Sequence, residues 1–162
     1  MSWQNEMVRI VRFLVNDLDA DSYSDDRLEE TILVAAQLVY ASIDFPNTYT
    51  IDVDTLVLTP DPTSTTKDDW FINIVCVKAA CIILGSETKT LAAQSYLIKD
   101  GPSTIDAGGV YRASQQMYKD MCNNLASMIM NYKAGNSIGA LAIMTPYTQE
   151  NLSGGYEMRN FY

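Results

Sequence analysis

No histidine occurs anywhere in the 162 residues, which removes the commonest general base, the commonest metal ligand and the side chain that changes charge near neutral pH. Nor does the chain carry a glycine-rich phosphate loop, a nucleophile elbow or a pair of carboxylates set among apolar neighbours. Catalysis is therefore not expected, and neither is a cofactor or a bound metal. Positive charge is scarce too: 11 basic against 20 acidic side chains leave a net −9. A phosphate backbone is repelled by such a chain unless the few basic groups gather on one face. An acidic surface does suit a wall past which DNA slides without being held.

Cysteine is sparse and odd in number. Cys76, Cys81 and Cys122 sit in apolar segments, where a thiol serves as a small hydrophobe. Cys76 and Cys81 leave a helix in different directions, so neither a disulfide nor a shared metal is expected, in keeping with a reducing cytosolic origin. The opening Met1-Ser2-Trp3-Gln4-Asn5-Glu6 lacks the basic start and apolar core of a secretory signal. The longest apolar run, Ile74 to Leu84, is interrupted by Lys78 and is short for a bilayer; no membrane partner is expected. What remains is a chain 48% apolar and 19% charged, globular in composition and somewhat poor in charge, as subunits that bury contacts with one another are.

Periodicity predicts a mainly α fold: a four-helix body over residues 1–136, with a β-hairpin or extended loop inserted at about 47–66, followed by an extended arm over 137–162. Trp3, Met7, Ile10, Val11, Leu14 and Leu18 form the stripe of the first helix. Ser24 reads as the N-cap of the second, with Asp25 and Asp26 at its positive end and Tyr23 stapling onto Leu28. The buried stripe of that helix is Leu28, Ile32, Ala35, Ala36, Val39 and Ile43, running to about Asp44 before Pro46. Residues 48–58 then alternate Tyr49, Ile51 and Val53 with polar neighbours, the period of a projecting hairpin.

Thr59 to Thr63 reads as a rigid proline turn, and Thr66 with Asp69 as the capping box of a third helix. From Trp70 to Leu84 only Asn73 and Lys78 interrupt the apolar character, which marks a helix packed on most sides. Gly85 bends it or admits a close neighbour. Residues 99–106 read as a loop with a second capping box from Ser103 to Asp106. The fourth helix follows, with the stripe Val110, Ser114, Met117, Met121, Leu125, Met128 and Tyr132, ending at Gly135-Asn136. Its methionines are expected in the core rather than in a promiscuous groove. Lys78 either extends its ammonium past its stem or pairs with an acid of a neighbouring subunit.

The arm is apolar and aromatic but broken by Gly139, Pro146, Gly154 and Gly155, so it cannot make a core alone. It either folds back over its own domain or adds to another chain, where backbone hydrogen bonds give strength and alternate side chains give selectivity. Aromatic residues favour interfaces because they bury much area while freezing few torsions.

The runs Leu28-Glu-Glu-Thr-Ile-Leu-Val-Ala-Ala36, Thr59-Pro-Asp-Pro-Thr63, Lys67-Asp-Asp-Trp-Phe-Ile-Asn73, Lys78-Ala-Ala-Cys-Ile-Ile83 and Lys99-Asp-Gly-Pro-Ser-Thr-Ile-Asp106, taken in order, resemble head-to-tail connector proteins of tailed bacteriophages. The likeness spans roughly Leu28 to Leu125. It implies a helical adaptor, made in the host cytoplasm and built into the virion neck as a homo-oligomeric ring, commonly a dodecamer, beneath the portal protein. Such a ring extends the channel for DNA, which passes without sequence-specific binding, and meets a neck or tail protein on its far side.

By that resemblance Ile138, Leu141, Ile143, Tyr147, Tyr156 and Phe161 are expected to dock on the portal. Tyr49, Ile51, Asp52, Val53, Asp54 and Leu56 are expected to face the channel or the next ring, or else a neighbouring subunit. The alternatives are a tail-side stopper or terminator ring, which would usually hold more β structure, and a calcium-responsive helical module. The latter would work through Asp17 to Asp25, whose odd-numbered oxygens follow a calcium loop but which has Ser22 and Leu28 where glycine and glutamate belong.

Overall fold

The computed structural model describes residues 2–136 except 65, 95–96, 101–102 and 107. Within them the chain is mainly helical: α1 (Trp3–Val15), α2 (Asp25–Tyr40), α3 (Asp69–Gln94) and α4 (Gly108–Asn136), with β1 (Thr50–Asp52), β2 (Val57–Thr59), β3 (Leu97–Asp100) and β4 (Ser103–Asp106). The chain divides into two compact units, Met1–Ile129 and Met130–Tyr162. The first holds three helices, both hairpins and most of α4. The described part of the second is the end of α4, where Met130 is exposed and Tyr132 buried.

The core of the first unit is α3, which packs along both α1 and α2. Phe71, Ile72, Ile74, Val75, Cys76, Ala79 and Ala80 are all buried, so the near-continuous apolar run is satisfied on almost every side. By length and composition α3 is also apolar enough to cross a membrane, a longer segment than the run Ile74 to Leu84 suggested, but 67% of its most apolar window is buried in the chain's own fold. Trp3, Met7, Val8 and Val11 of α1 and Leu28, Ile32, Leu33, Ala35, Ala36 and Val39 of α2 supply the opposing surfaces. Each large side chain so enclosed contributes about 1.5–3 kcal/mol.

Several termini differ from expectation. α1 stops at Val15 because Asn16 turns left-handed (φ 58°) as its C-cap, and Leu18 falls outside the helix, 56% exposed. α2 starts as read, with Ser24 accepting the Arg27 N–H at 3.4 Å, but ends at Tyr40; Ile43 is buried in the turn beyond. α3 is capped by Asp68, not Thr66: its carboxylate accepts the Phe71 N–H at 3.0 Å and its carbonyl the Ile72 N–H at 3.0 Å. The chain stays non-helical through Asp68, so a cap two residues earlier has no helix to cap. Residues 97–100 and 103–106 pair as antiparallel strands rather than forming a loop, Leu97 opposite Asp106 and Asp100 opposite Ser103, so Ser103 is in a strand and not at the start of a helix.

The proline turn acts at a distance. The peptide bond before Pro60 is cis, and Asp61 accepts the Trp3 N–H at 3.1 Å and the Thr63 N–H and hydroxyl at 2.8 and 2.7 Å. Asp61 thus caps α1, whose own Ser2 side chain makes no capping bond.

In the first unit α4 runs antiparallel to α3 through matched small contacts. Thr88 and Ser114 share a hydrogen bond of 3.0 Å, Gly85 lies under the Tyr118 ring, and Cys81 is disulfide-bonded to Cys122 with Cα atoms 5.8 Å apart. A Cβ on Gly85 would come within 3.0 Å of that ring, so the glycine admits a close neighbour and α3 continues through it. The expected absence of a disulfide is thereby corrected. The spacing of Cys76 and Cys81 said nothing about Cys122, which the topology delivers from 41 residues away. Cys76 stays free and buried, and burial pushes its thiol pKa up to about 12, the behaviour of an inert hydrophobe.

Under non-reducing conditions the intact chain is expected to be two hydrogens lighter than after reduction. Cys122→Ser should cost about 2–4 kcal/mol in denaturant unfolding of the oxidised protein. Equal masses would show that the cysteines are not bonded.

Candidate functional site

The first hairpin pairs Thr50 with Thr59, Ile51 with Leu58 and Asp52 with Val57. Its turn is closed by Asp52, whose carboxylate accepts the Asp54 and Thr55 N–H groups at 3.0 and 3.2 Å, and Leu56 takes the left-handed backbone (φ 55°). Hydrogen bonds from Thr55, side chain first and then backbone, hold the Asp52 carboxyl below its ordinary value. Asp52 is thus occupied in shaping the turn. Asp54 is exposed, Ile51, Val53 and Leu56 are half-buried, and Val57 is 43% exposed.

Tyr49 differs from the other hairpin candidates. It is buried in the core, stacked on Phe71 at 4.0 Å between ring centroids and edge-on to Tyr40 at 6.4 Å, and its hydroxyl donates to Asp68 at 2.8 Å. Asn47 donates to the same carboxylate oxygen at 3.1 Å. Tyr49 therefore anchors the stem of the hairpin to α3, while residues 53–57 form the part that faces outward. The six candidates of the arm, Ile138, Leu141, Ile143, Tyr147, Tyr156 and Phe161, lie outside the described residues.

The acidic connection between α1 and α2 is organised around Arg12. Its guanidinium pairs with Asp17, donates to the Tyr23 carbonyl at 2.9 Å and pairs with Asp25 at 2.6 Å, while Asp17 also accepts the Ser22 N–H at 3.0 Å. Asp17 is 6% exposed, a buried carboxylate matched by a charge and a hydrogen bond as burial demands. Three oxygens that a calcium loop would use, from Asp17, the Tyr23 carbonyl and Asp25, are thus turned onto a guanidinium. Among the described residues no cluster of three or more acidic or cysteine side chains is placed to hold a metal ion.

Beside this loop Tyr23 is buried and donates to Glu87 of α3, with Arg27 over its ring at 5.2 Å. Burial first, then the Glu87 carboxylate, push the Tyr23 hydroxyl above its ordinary value. A cleft of about 560 Å³ opens between α1 and α2, lined by Val8, Arg9, Arg12, Phe13, Leu18 and Glu29. Burial, then Asp26 and Asp25, raise the Glu29 carboxyl.

A second groove of about 550 Å³ lies between α3 and α4 within the first unit. Lys78, Lys89 and Lys119 line it with Gln115, Tyr118 and Leu125, and no carboxylate is among its lining residues. Lys78 is half-buried, while Lys89 and Lys119 are exposed. Sequence reading missed this convergence, because nothing local connects three lysines on two helices. The signal was there in the opposed spacing: each step of three or four along α3 is answered by one in reverse along α4. The α4 stripe itself is rotated from expectation, with Val110 and Met117 at 66% and 60% exposed and Leu125 at 7%, so Met117 is not a core residue.

Compared with known proteins, the chain matches no family model, no curated protein and no solved structure.

Two measurements address the acidic connection. Added calcium is expected to leave the melting temperature unchanged, because a ligand bound only by the folded form must raise it; an increase would restore the calcium reading. The Tyr23 phenol has a folded pKa above its unfolded one, so the stability it lends is complete below about pH 10 and is lost as the pH rises beyond that value. Tyr23→Phe should therefore show a shallower alkaline fall in melting temperature than the parent chain, and equal slopes would show that the Tyr23–Glu87 contact does not hold the proton.

Proposed function

We propose that the chain is a structural adaptor of a tailed-bacteriophage neck, forming a ring between the portal protein and the tail and lengthening the channel through which DNA passes. The observation that carries the reading is a division of labour along the sequence. A well-packed helical unit built around α3 precedes 26 residues, Ser137 to Tyr162, whose composition is apolar and aromatic with only Glu150, Glu157 and Arg159 charged. A segment of that character gains most by burial against a large partner.

The ordered runs from Leu28 to Leu125 that resemble connector proteins point the same way. So does the acidic balance of −9, which suits a channel that does not retain phosphates. The outward part of the first hairpin, residues 53–57, is then the element offered to the channel, the next ring or a neighbouring subunit. A ring presents many copies of one arm at once, so contacts of modest strength combine into a durable joint.

Deletion of residues 137–162 tests this directly. The shortened chain should keep its helical circular dichroism and lose co-sedimentation with a candidate portal ring that the full chain joins, by about a hundredfold or more in the concentration needed. Undiminished co-sedimentation would remove the arm from portal joining.

A further inference from the structure

The lysine groove between α3 and α4 and the acidic connection between α1 and α2 are complementary surfaces on one molecule. The groove gathers three of the 11 basic residues of a chain of net charge −9. Its lining also contains Ile82 and Leu125, apolar surface beside the ammonium groups. The connection offers the reverse. Arg12 is already paired with Asp17 and Asp25, and Asp19, Asp21 and Asp26 are exposed. Between these charges Leu18 stands 56% exposed, and Ala20 takes the left-handed backbone (φ 59°), which turns the chain sharply at the centre of the loop.

The two surfaces leave α3 on opposite sides. Glu87, which bonds to Tyr23 beside the acidic loop, is nine residues from Lys78 and two from Lys89, and at 100° per residue both separations amount to about half a turn around the helix. A loop and a groove set back to back do not meet within one molecule, nor do they pair naturally about a two-fold axis. They join one copy to the next, and a head-to-tail contact of this kind closes into a ring when its rotation allows.

We infer that copies of this chain associate head to tail, with the acidic loop Leu18–Asp21 of one subunit seated in the Lys78, Lys89, Lys119 groove of its neighbour. The inference rests on the ring reading and supplies it with a subunit contact. Leu18 enters toward Ile82 and Leu125, while Asp19 and Asp21 meet the lysines at the rim. The charges set register and orientation as well as attraction, and their exposure makes the contact sensitive to salt.

Sedimentation velocity on the full chain tests it with two charge-reversed variants, Lys89→Glu with Lys119→Glu, and Asp19→Lys with Asp21→Lys. All four positions are exposed, so circular dichroism should be unchanged. The parent chain is expected to associate at low salt and dissociate at about 1 M sodium chloride. Each variant alone should need about tenfold or more concentration for half-association, and an equimolar mixture of the two should recover the parent's behaviour. In that mixture every loop finds a groove of opposite charge.

Variants that associate like the parent, or a mixture that recovers nothing, overturn the contact while leaving a ring closed by some other surface. A parent chain that stays solitary yet joins a portal ring also overturns the contact and spares the adaptor reading. A solitary parent chain that joins no portal ring defeats both.

Discussion

A helix that is apolar on almost all sides must be enclosed, and α3 imposes that requirement on everything around it. Amphipathic α1 and α2 turn their single apolar stripes toward it, and the polar groups at its margins are secured by side chains brought from elsewhere in the chain. Asp68 illustrates the economy of this arrangement. One carboxylate caps the helix through the Phe71 N–H and receives the hydroxyl of Tyr49 and the amide of Asn47, so the start of α3 and the stem of the first hairpin are fixed together. Asp61 does the same for α1, and Glu87 fastens the α1–α2 connection to the far part of α3 through Tyr23.

Because the core is closed on three helices, α4 is placed differently. It meets α3 through a hydroxyl pair, a glycine under a ring and a cysteine pair, contacts between small groups that hold two helices close without a broad apolar seam. Val110 and Met117 remain in solvent, and lysines from both helices line the groove beside Ile82 and Leu125. A groove of that kind offers apolar surface together with charge, and the charge is what selects among the surfaces that could cover it.

What could be read from the residues follows from the range over which each force acts. The stripe of α2, the Ser24 cap and the buried run after Trp70 are written within a few turns of chain and stand where the spacing put them, whereas the α4 stripe is rotated so that Val110 and Met117 are exposed. The stripe of α1 was carried one step too far to Leu18 because periodicity alone does not register a left-handed Asn16. Thr66 and Ser103 satisfied a capping pattern without a helix beginning after them, since side-chain spacing is silent on where the backbone first turns helical. Residues 97–100 and 103–106 are paired strands, yet their polar composition concealed the pairing. The Cys81–Cys122 bond and the meeting of Lys78, Lys89 and Lys119 depend on how α4 returns along α3, a consequence of topology rather than of neighbours in sequence.

The same distinction bears on the outward-facing candidates. Tyr49 had the alternation of a projecting strand and the aromatic character of a contact residue, and it is consumed by the fold itself, stacked on Phe71. An aromatic near the base of a hairpin is worth more as an anchor than as a contact, because its burial sets the angle at which the rest of the hairpin leaves the body. Among the described residues, Asp54 and Val57 of the first hairpin and Leu18, Asp19 and Asp21 of the acidic connection are exposed. Leu18 is the most telling of these, an apolar side chain held outside α1 by the left-handed Asn16 and flanked by Asp17 and Asp19. The proposed subunit contact would cover this leucine with a surface of opposite charge and apolar lining.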